Sequence, residues 1–227
     1  MLEQRIESVR TFAGQQVTVS FWAKADASKP IAVELLQSFG TGGSPSAEVT
    51  AIGVTKTTLS TSWQKITVTA TVPSISGKTI GTNGDDYLAL DIWFDAGSTY
   101  NARTDSLGQQ SGTFDIAQVQ IEPGPVATPF ERRPIGTELA LCQRYYQHTI
   151  VVRIGGTSAP GIGFHGGDQF LVQMRTSPTM VQRNAAYTGG TSGLSVGTVT
   201  PSTFHFNASN SQNSGIAEAY YSASAEL

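Results

Sequence analysis

Residues 15–25 read Gln-Gln-Val-Thr-Val-Ser-Phe-Trp-Ala-Lys-Ala. Apolar Val17, Val19, Phe21 and Ala23 alternate with Thr18, Ser20, Trp22 and Lys24, and a period of two is that of a strand with one buried face. Similar patterns recur outward from it, at 31–38, 62–72, 87–95 and 114–122, separated by clusters of Gly, Pro, Ser and Asn. Strands so punctuated, with no long helical period between them, predict an antiparallel β-sandwich. Residues 40–46 and 96–112 read as long polar loops, the places where a sandwich commonly carries its function.

Four prolines fall within residues 123–134 and close this first region. After them, Thr137 is expected to cap a short helix through the good helix formers Glu138 to Leu141. Segments 144–154, 169–176, 179–187, 194–200, 202–208 and 216–225 then read as strands, with the Gly-Gly pairs at 155, 166 and 189 as breaks. The expected division is therefore 1–130 for a first β domain, 131–143 for a linker and short helix, and 144–227 for a second, small β-sandwich. The fold class is all-β.

Charged residues make up 14% of the 227 and the net charge is −3. No basic stripe is present to neutralise phosphates, which argues against nucleic-acid binding. No apolar run approaches the roughly 20 residues of a membrane-spanning helix. The first residues, Met-Leu-Glu-Gln-Arg-Ile-Glu, lack the apolar core of a signal peptide, so a soluble protein without an export signal is expected. A lone cysteine, Cys142, forms no internal disulfide, and its place in Leu-Ala-Leu-Cys predicts a small buried hydrophobe.

The blocks Gly14-Gln-Gln-Val-Thr-Val-Ser-Phe-Trp-Ala-Lys-Ala, Ser62-Trp-Gln-Lys-Ile-Thr and Phe114-Asp-Ile-Ala-Gln-Val-Gln-Ile-Glu-Pro-Gly resemble the jelly-roll, carbohydrate-binding-module-like domain of bacteriophage tail fibres and related virion appendages. Thr128-Pro-Phe-Glu-Arg-Arg-Pro, Glu138-Leu-Ala-Leu-Cys-Gln-Arg-Tyr-Tyr, Met174-Arg-Thr-Ser-Pro-Thr and the closing Tyr221-Ser-Ala-Ser-Ala-Glu-Leu resemble the passage into that family's terminal domain and its end. The resemblance implies a noncatalytic virion protein, made in the host cytoplasm. It also implies a homotrimer that binds a host cell-surface glycan and joins other virion proteins at its N-terminal end. Such jelly rolls usually carry one or two strands before the one at Gln4-Arg-Ile-Glu. The first domain is thus expected to lack its first strands and to show an unpaired sheet edge. A structural virion component, such as a head fibre, baseplate or tail adaptor subunit with its aromatic faces buried against partners, stays open as the alternative.

Sugar recognition needs an aromatic face against a pyranose ring and polar groups for its hydroxyls. Trp22 points opposite the apolar set of its strand, and Trp93 lies with Tyr87 and Asp91 opposite Leu88, Leu90 and Ile92. If these strands are neighbours, Trp22, Tyr87, Asp91 and Trp93 form one face. Trp63 starts its strand beside Lys65. The terminal domain offers His165 and Asp168, expected on a flexible loop at 163–168, together with Tyr187, and the resemblance favours this domain for receptor contact. For a structural calcium the candidates are Asp85 and Asp86 in Asn-Gly-Asp-Asp, and Asp115; Asn-Gly-Asp is also ordinary turn chemistry. His148, His165 and His205 lack zinc-ligand spacing. Asp91 and Asp95, about 13 Å apart along one strand, fit neither glycosidase geometry, and no enzyme activity is expected.

Overall fold

The computed structural model describes residues 1–157, 164–189, 191–210 and 214–226, and the chain divides into two units, residues 1–131 and 132–226. In the first unit, alternation becomes seven strands among the described residues: β1 (Leu2–Glu7), β2 (Gln16–Ala25), β3 (Lys29–Ser38), β4 (Val49–Leu59), β5 (Gln64–Thr71), β6 (Tyr87–Trp93) and β7 (Phe114–Pro123). They form two antiparallel sheets, ordered β1-β6-β3-β4 and β5-β2-β7. Val17, Val19 and Phe21 of β2 meet Ile31, Val33 and Leu35 of β3 and Leu88, Leu90 and Ile92 of β6 in one buried cluster. Each fully buried side chain of this size stabilises the unit by about 1.5–3 kcal/mol. The expected antiparallel sandwich is thus present.

Two features of this unit were not expected from the sequence. β4 fills part of a stretch that showed no clean alternation. Residues 96–112, read as a polar loop, contain a 3₁₀ turn (Ser98–Tyr100) and the one-turn helix α1 (Asn101–Thr104), whose Thr104 is fully buried. The edge strand β1 pairs with β6 alone among the described residues, and Leu2 on it is half exposed.

The second unit opens with helix α2 (Ile135–Gln143). This helix starts before Thr137: the Pro134 carbonyl accepts from the Thr137 and Glu138 amides, because the fixed φ of Pro134 (−56°) already suits a helix entrance. Thr137 is therefore a first-turn residue, and the helix has no side-chain cap. Cys142 is exposed, which corrects the expected buried position. Apolar residues run around α2 without forming a face, so none of its residues is buried.

The remaining strands are β8 (Tyr146–Thr157), β9 (Phe164–Gln169), β10 (Thr179–Thr188), β11 (Thr191–Val199), β12 (Thr203–Asn210) and β13 (Ser214–Ser224), in antiparallel sheets ordered β10-β13-β8 and β11-β12-β9. Phe204 and Phe206 of β12 pack with Tyr221, Ala217, Ala219 and Ala223 of β13, large rings against small alanines. The Tyr221 hydroxyl, buried with its ring, donates to Gln182 Oε1 at 2.9 Å. Of the strand expected at 169–176 only Gln169 lies in one, as the last residue of β9, and residues 170–178 are irregular. Their amides reach irregular partners, Phe170 to the Ser202 carbonyl (3.0 Å) and Met174 to that of Pro201 (2.8 Å), while the buried Gln147 side chain bonds Leu171 and Val172.

The pairs at 155 and 166 are not breaks either, since both lie inside strands. A Cβ on Gly155 would overlap the Gly215 carbonyl oxygen of the neighbouring strand, so glycine there serves close backbone approach. Gly155→Ala is expected to destabilise the second unit by about 1–3 kcal/mol, read as a lowered thermal midpoint in far-ultraviolet circular dichroism. An unchanged midpoint would mean that β8 and β13 separate there at little cost.

Candidate functional site

Alternation along β2 sends Thr18, Ser20, Trp22 and Lys24 to the outer face of the three-stranded sheet. Register then fixes their neighbours: Lys65 of β5 and Ala117 of β7 stand opposite Trp22, and Asp115 stands opposite Lys24. Trp63, just before β5, lies beside Lys24, whose ammonium sits 5.4 Å from the indole centre and 3.2 Å from the Asp115 carboxylate. Trp22 is 39% and Trp63 46% exposed, and with Ala117 and Gln118 they line one shallow recess. Two large aromatic side chains left in solvent on an otherwise polar sheet face are the kind of exposed patch that marks a binding surface.

A bulge aims part of this face. Ser20 pairs with Gln120 and Trp22 with Ala117, so Gln118 and Val119 together oppose Phe21, and Gln118 takes φ +53°. Bulges of this kind turn side chains out of a ladder beside functional sites. Here the Gln118 amide joins the rim around Trp22.

Beyond β7 the chain doubles back over the same face. Thr18 Oγ1 donates to the Gly124 carbonyl (2.7 Å), the Thr128 amide donates to Glu122 Oε1 (2.6 Å), Lys65 Nζ donates to the Thr128 carbonyl (3.4 Å), and the Glu131 amide donates to Gln120 Oε1 (2.8 Å). Thr128 thus touches β5 on one side and β7 on the other, and the segment crosses β2 between them. This strap explains why the polar Thr18 and Ser20 are buried on an outer face. It also sets Pro129 and Phe130 against Trp22, enclosing a recess of about 200 Å³ with Ser20, Lys65 and Gln118. Glu122, bonded first by the Thr128 amide and then by the Thr128 hydroxyl and Gln120, has its carboxyl held below the usual carboxylate range.

Trp93, Asp91 and Tyr87 do not join Trp22. They lie on β6 of the four-stranded sheet, whereas Trp22 is on β2 of the other. The outer face of β6 offers an aromatic and polar set that either a glycan or a covering loop or subunit could use, and here a loop covers it: Asp91 is fully buried and Trp93 nearly so, because residues 96–107 fold over them. Arg103 of α1 reaches into that cover, 2.7 Å from Glu34 Oε1 and 2.9 Å from Asp91 Oδ2, and lies over the Trp93 ring. Trp93 Nε1 donates to Glu34 Oε1 at 3.0 Å, and its ring packs 4.9 Å from Tyr100. Glu3, Asp91 and Glu34 stand in one row across β1, β6 and β3. Burial, then the charges of Glu3 and Glu34, push the Asp91 carboxyl up to about 6 against the pull of Arg103 and Arg5. The cluster clasps a loop and offers no open aromatic face. Tyr87, half buried, lies under the Arg5 guanidinium at 4.5 Å.

In the second unit His165 and Asp168 sit on strand β9, not on a flexible loop; Gly163 lies outside the described residues. Their odd spacing sends them to opposite faces. His165 Nδ1 shares a 2.6 Å hydrogen bond with Asn207 Oδ1, and Asp168 Oδ1 accepts from the Gln169 amide. Tyr187 belongs to β10 of the other sheet, so the three form no common site.

The calcium candidates are likewise apart. Asp85 accepts from the amide (2.7 Å) and hydroxyl of Thr41, Asp86 from the Val9 amide (2.8 Å) and Ser8 hydroxyl (3.1 Å), and Asp115 pairs with Lys24. Among the described residues no three His, Cys, Asp or Glu side chains converge to hold a metal ion. The carboxylates of Asp85 and Asp86 act as loop clasps.

Residues 11–87, from just before β2 to the first residue of β6, match the family described as carbohydrate binding domain, a segment that contains Trp22, Trp63 and Lys65. A solved structure described as "CBM4 structure and function" is similar at 24% identity over 54% of this chain and 59% of its own, with a TM-score of 0.34. The chain therefore spans about three fifths of the length of that structure. No curated protein matches the chain. The family match to residues 11–87 supports a carbohydrate-binding-module-like domain in the first unit.

Proposed function

We propose that this chain is a noncatalytic glycan-binding protein of a virion appendage, a phage tail fibre, that engages a host cell-surface glycan through the outer face of β5-β2-β7. The observation that carries the binding reading is the pair of exposed indoles, Trp22 and Trp63, flanked by Lys24, Lys65, Asp115 and Gln118 within or beside the matched segment. The rings supply stacking surface, and the amide, ammonium and carboxylate groups supply hydrogen bonds. Both carboxylates of this face are engaged, Asp115 by Lys24 and Glu122 by Thr128, which favours binding over acid–base chemistry.

The fibre assignment draws on the sequence resemblance. Self-association as a homotrimer draws further support from α2, where Ile135, Leu139 and Leu141 are exposed and suit burial against other copies. In a trimer three linked sites raise avidity by roughly 10²–10⁴, so each site needs only modest affinity. The same exposed side chains also favour the second reading, a structural virion subunit covered by partners.

Trp22→Ala is expected to weaken glycan binding about thirtyfold, the effect of removing a hot-spot aromatic worth about 2 kcal/mol. Calorimetry on hits from a glycan array measures it, with light scattering on the same sample expected to give three times the 24.0 kDa chain mass. Binding that is unchanged in both Trp22→Ala and Trp63→Ala would overturn the platform. A chain that binds neither glycan nor host cell would leave the structural reading.

A further inference from the structure

We infer that the sugar seated between Trp22 and Phe130 carries an anionic substituent, held against Lys65. The inference rests on the platform reading and narrows its ligand class. It starts from a difference between the two lysines of the face. Lys24 is neutralised by Asp115 at 3.2 Å, directly across the ladder. Lys65 forms no ion pair among the described residues, and its one hydrogen bond, to the Thr128 carbonyl, is long at 3.4 Å. An ammonium has three donors, so at least two are left for a ligand.

The recess directs that charge. Ser20, Trp22, Gln118, Pro129 and Phe130 line it with Lys65, and Lys65 is the one charged residue among its lining groups. The neighbouring carboxylate, Glu122, is held by the Thr128 amide and hydroxyl and by Gln120; it feels the Lys65 charge, but among the described residues it makes no ion pair. At about 200 Å³ the space is below the roughly 300–1,000 Å³ of drug-sized sites and suits a single sugar residue. Two rings provide its faces, the Gln118 amide and Ser20 hydroxyl its neutral contacts, and Lys65 a fixed positive charge at one edge. An acidic sugar would pair directly with Lys65, a contact that a neutral sugar does not make. A carboxylate and a sulfate ester share the required chemistry.

The test is calorimetric titration of the full chain with three oligosaccharide sets of matched length: uronic-acid-terminated, sulfated and neutral. At least one anionic set is expected to bind tenfold or more tightly than the neutral set, the better of the two identifying the substituent. That advantage is expected to disappear in Lys65→Gln and in 0.5 M salt and to persist in Lys65→Arg, while Trp22→Ala is expected to weaken binding of every set about thirtyfold. Equal affinity for neutral sugars, insensitive to Lys65→Gln but weakened about thirtyfold by Trp22→Ala, would overturn the inference and leave the glycan platform standing. Binding that ignores both substitutions, or no binding in any set, would overturn the platform and the inference together. An unchanged far-ultraviolet circular dichroism spectrum in each variant shows that the sheet is intact.

Discussion

Replacing Arg103 with methionine is expected to destabilise the first unit by about 3–5 kcal/mol at neutral pH, the cost of leaving buried charge without its partner. Glu34 and Asp91 are 1% and 0% exposed, and Arg103 contacts both. Without it, the two carboxylates face each other across adjacent positions of β3 and β6, with Glu3 opposite Asp91 on the other side. The loss depends on pH in a definite direction. Asp91 is raised in the folded state from the usual 3.8 to about 6, so the fold binds its proton more tightly than the unfolded chain does. The penalty of ionised Asp91 is therefore fully present above pH 6, shrinks as pH falls from 6 towards 3.8, and is absent below both values. Two pKa units correspond to about 3 kcal/mol as an upper bound. Removing Arg103, which holds the value down, moves the window upward. The deficit of Arg103→Met should consequently be largest near pH 8 and smaller at pH 5, in urea unfolding followed by tryptophan fluorescence. A deficit equal at both pH values would show that Arg103 acts through packing on Trp93 and not through charge.

Phe206→Ala is expected to cost the second unit about 3–5 kcal/mol. The ring is fully buried, 5.3 Å from the Phe204 ring and 4.7 Å from that of Tyr221, and the small Ala217, Ala219 and Ala223 nearby have no side chain to swing into the void. All three tryptophans, Trp22, Trp63 and Trp93, belong to the first unit, so their fluorescence follows that unit alone. Circular dichroism should show an early loss of β signal in the variant while the tryptophan transition stays in place. A loss below 1 kcal/mol would mean that these rings are not the centre of the unit.

Where the pleat was regular, the fold was legible. β2 and β5 alternate cleanly, and their apolar sets are the inner faces observed. β4 escaped because Ala51 and Gly53 take positive φ and its pairing with β3 slips twice, which breaks the period of two on which such a reading depends. The glycines at 155 and 166 misled in the opposite sense: a residue that ends a strand and one that lets two strands touch look the same in sequence. For the site, Trp22 was legible from its parity, but its partner was not. Parity says which face a side chain takes and is silent on which sheet it belongs to, so Trp93 and Trp22 looked equivalent. Trp63 lies just outside its strand, where parity gives no answer. The burial of Trp93 depended on a cover whose sequence looks polar, although Ala96, Thr104 and Leu107 within it are the residues that end up buried. Strap residues 125–131 were read as a seam between domains, and nothing in their composition reveals that they return across β2.

That strap has a mechanical consequence. The chain passes from Phe130 directly to the boundary of the first unit at residue 131. Tension applied at residue 132 would load the Glu131 bond to Gln120 first, then the Thr128 bonds to Lys65 and Glu122, and only afterwards the Gly124 bonds to Gln16 and Thr18. These few bonds open one after another, as a zipper does, so a modest pull lifts Phe130 and Pro129 from Trp22 while the β2–β7 ladder still holds. One wall of the recess would then be lost under load before the sandwich yields, and the lifetime of a ligand held there would shorten as the pulling force grows.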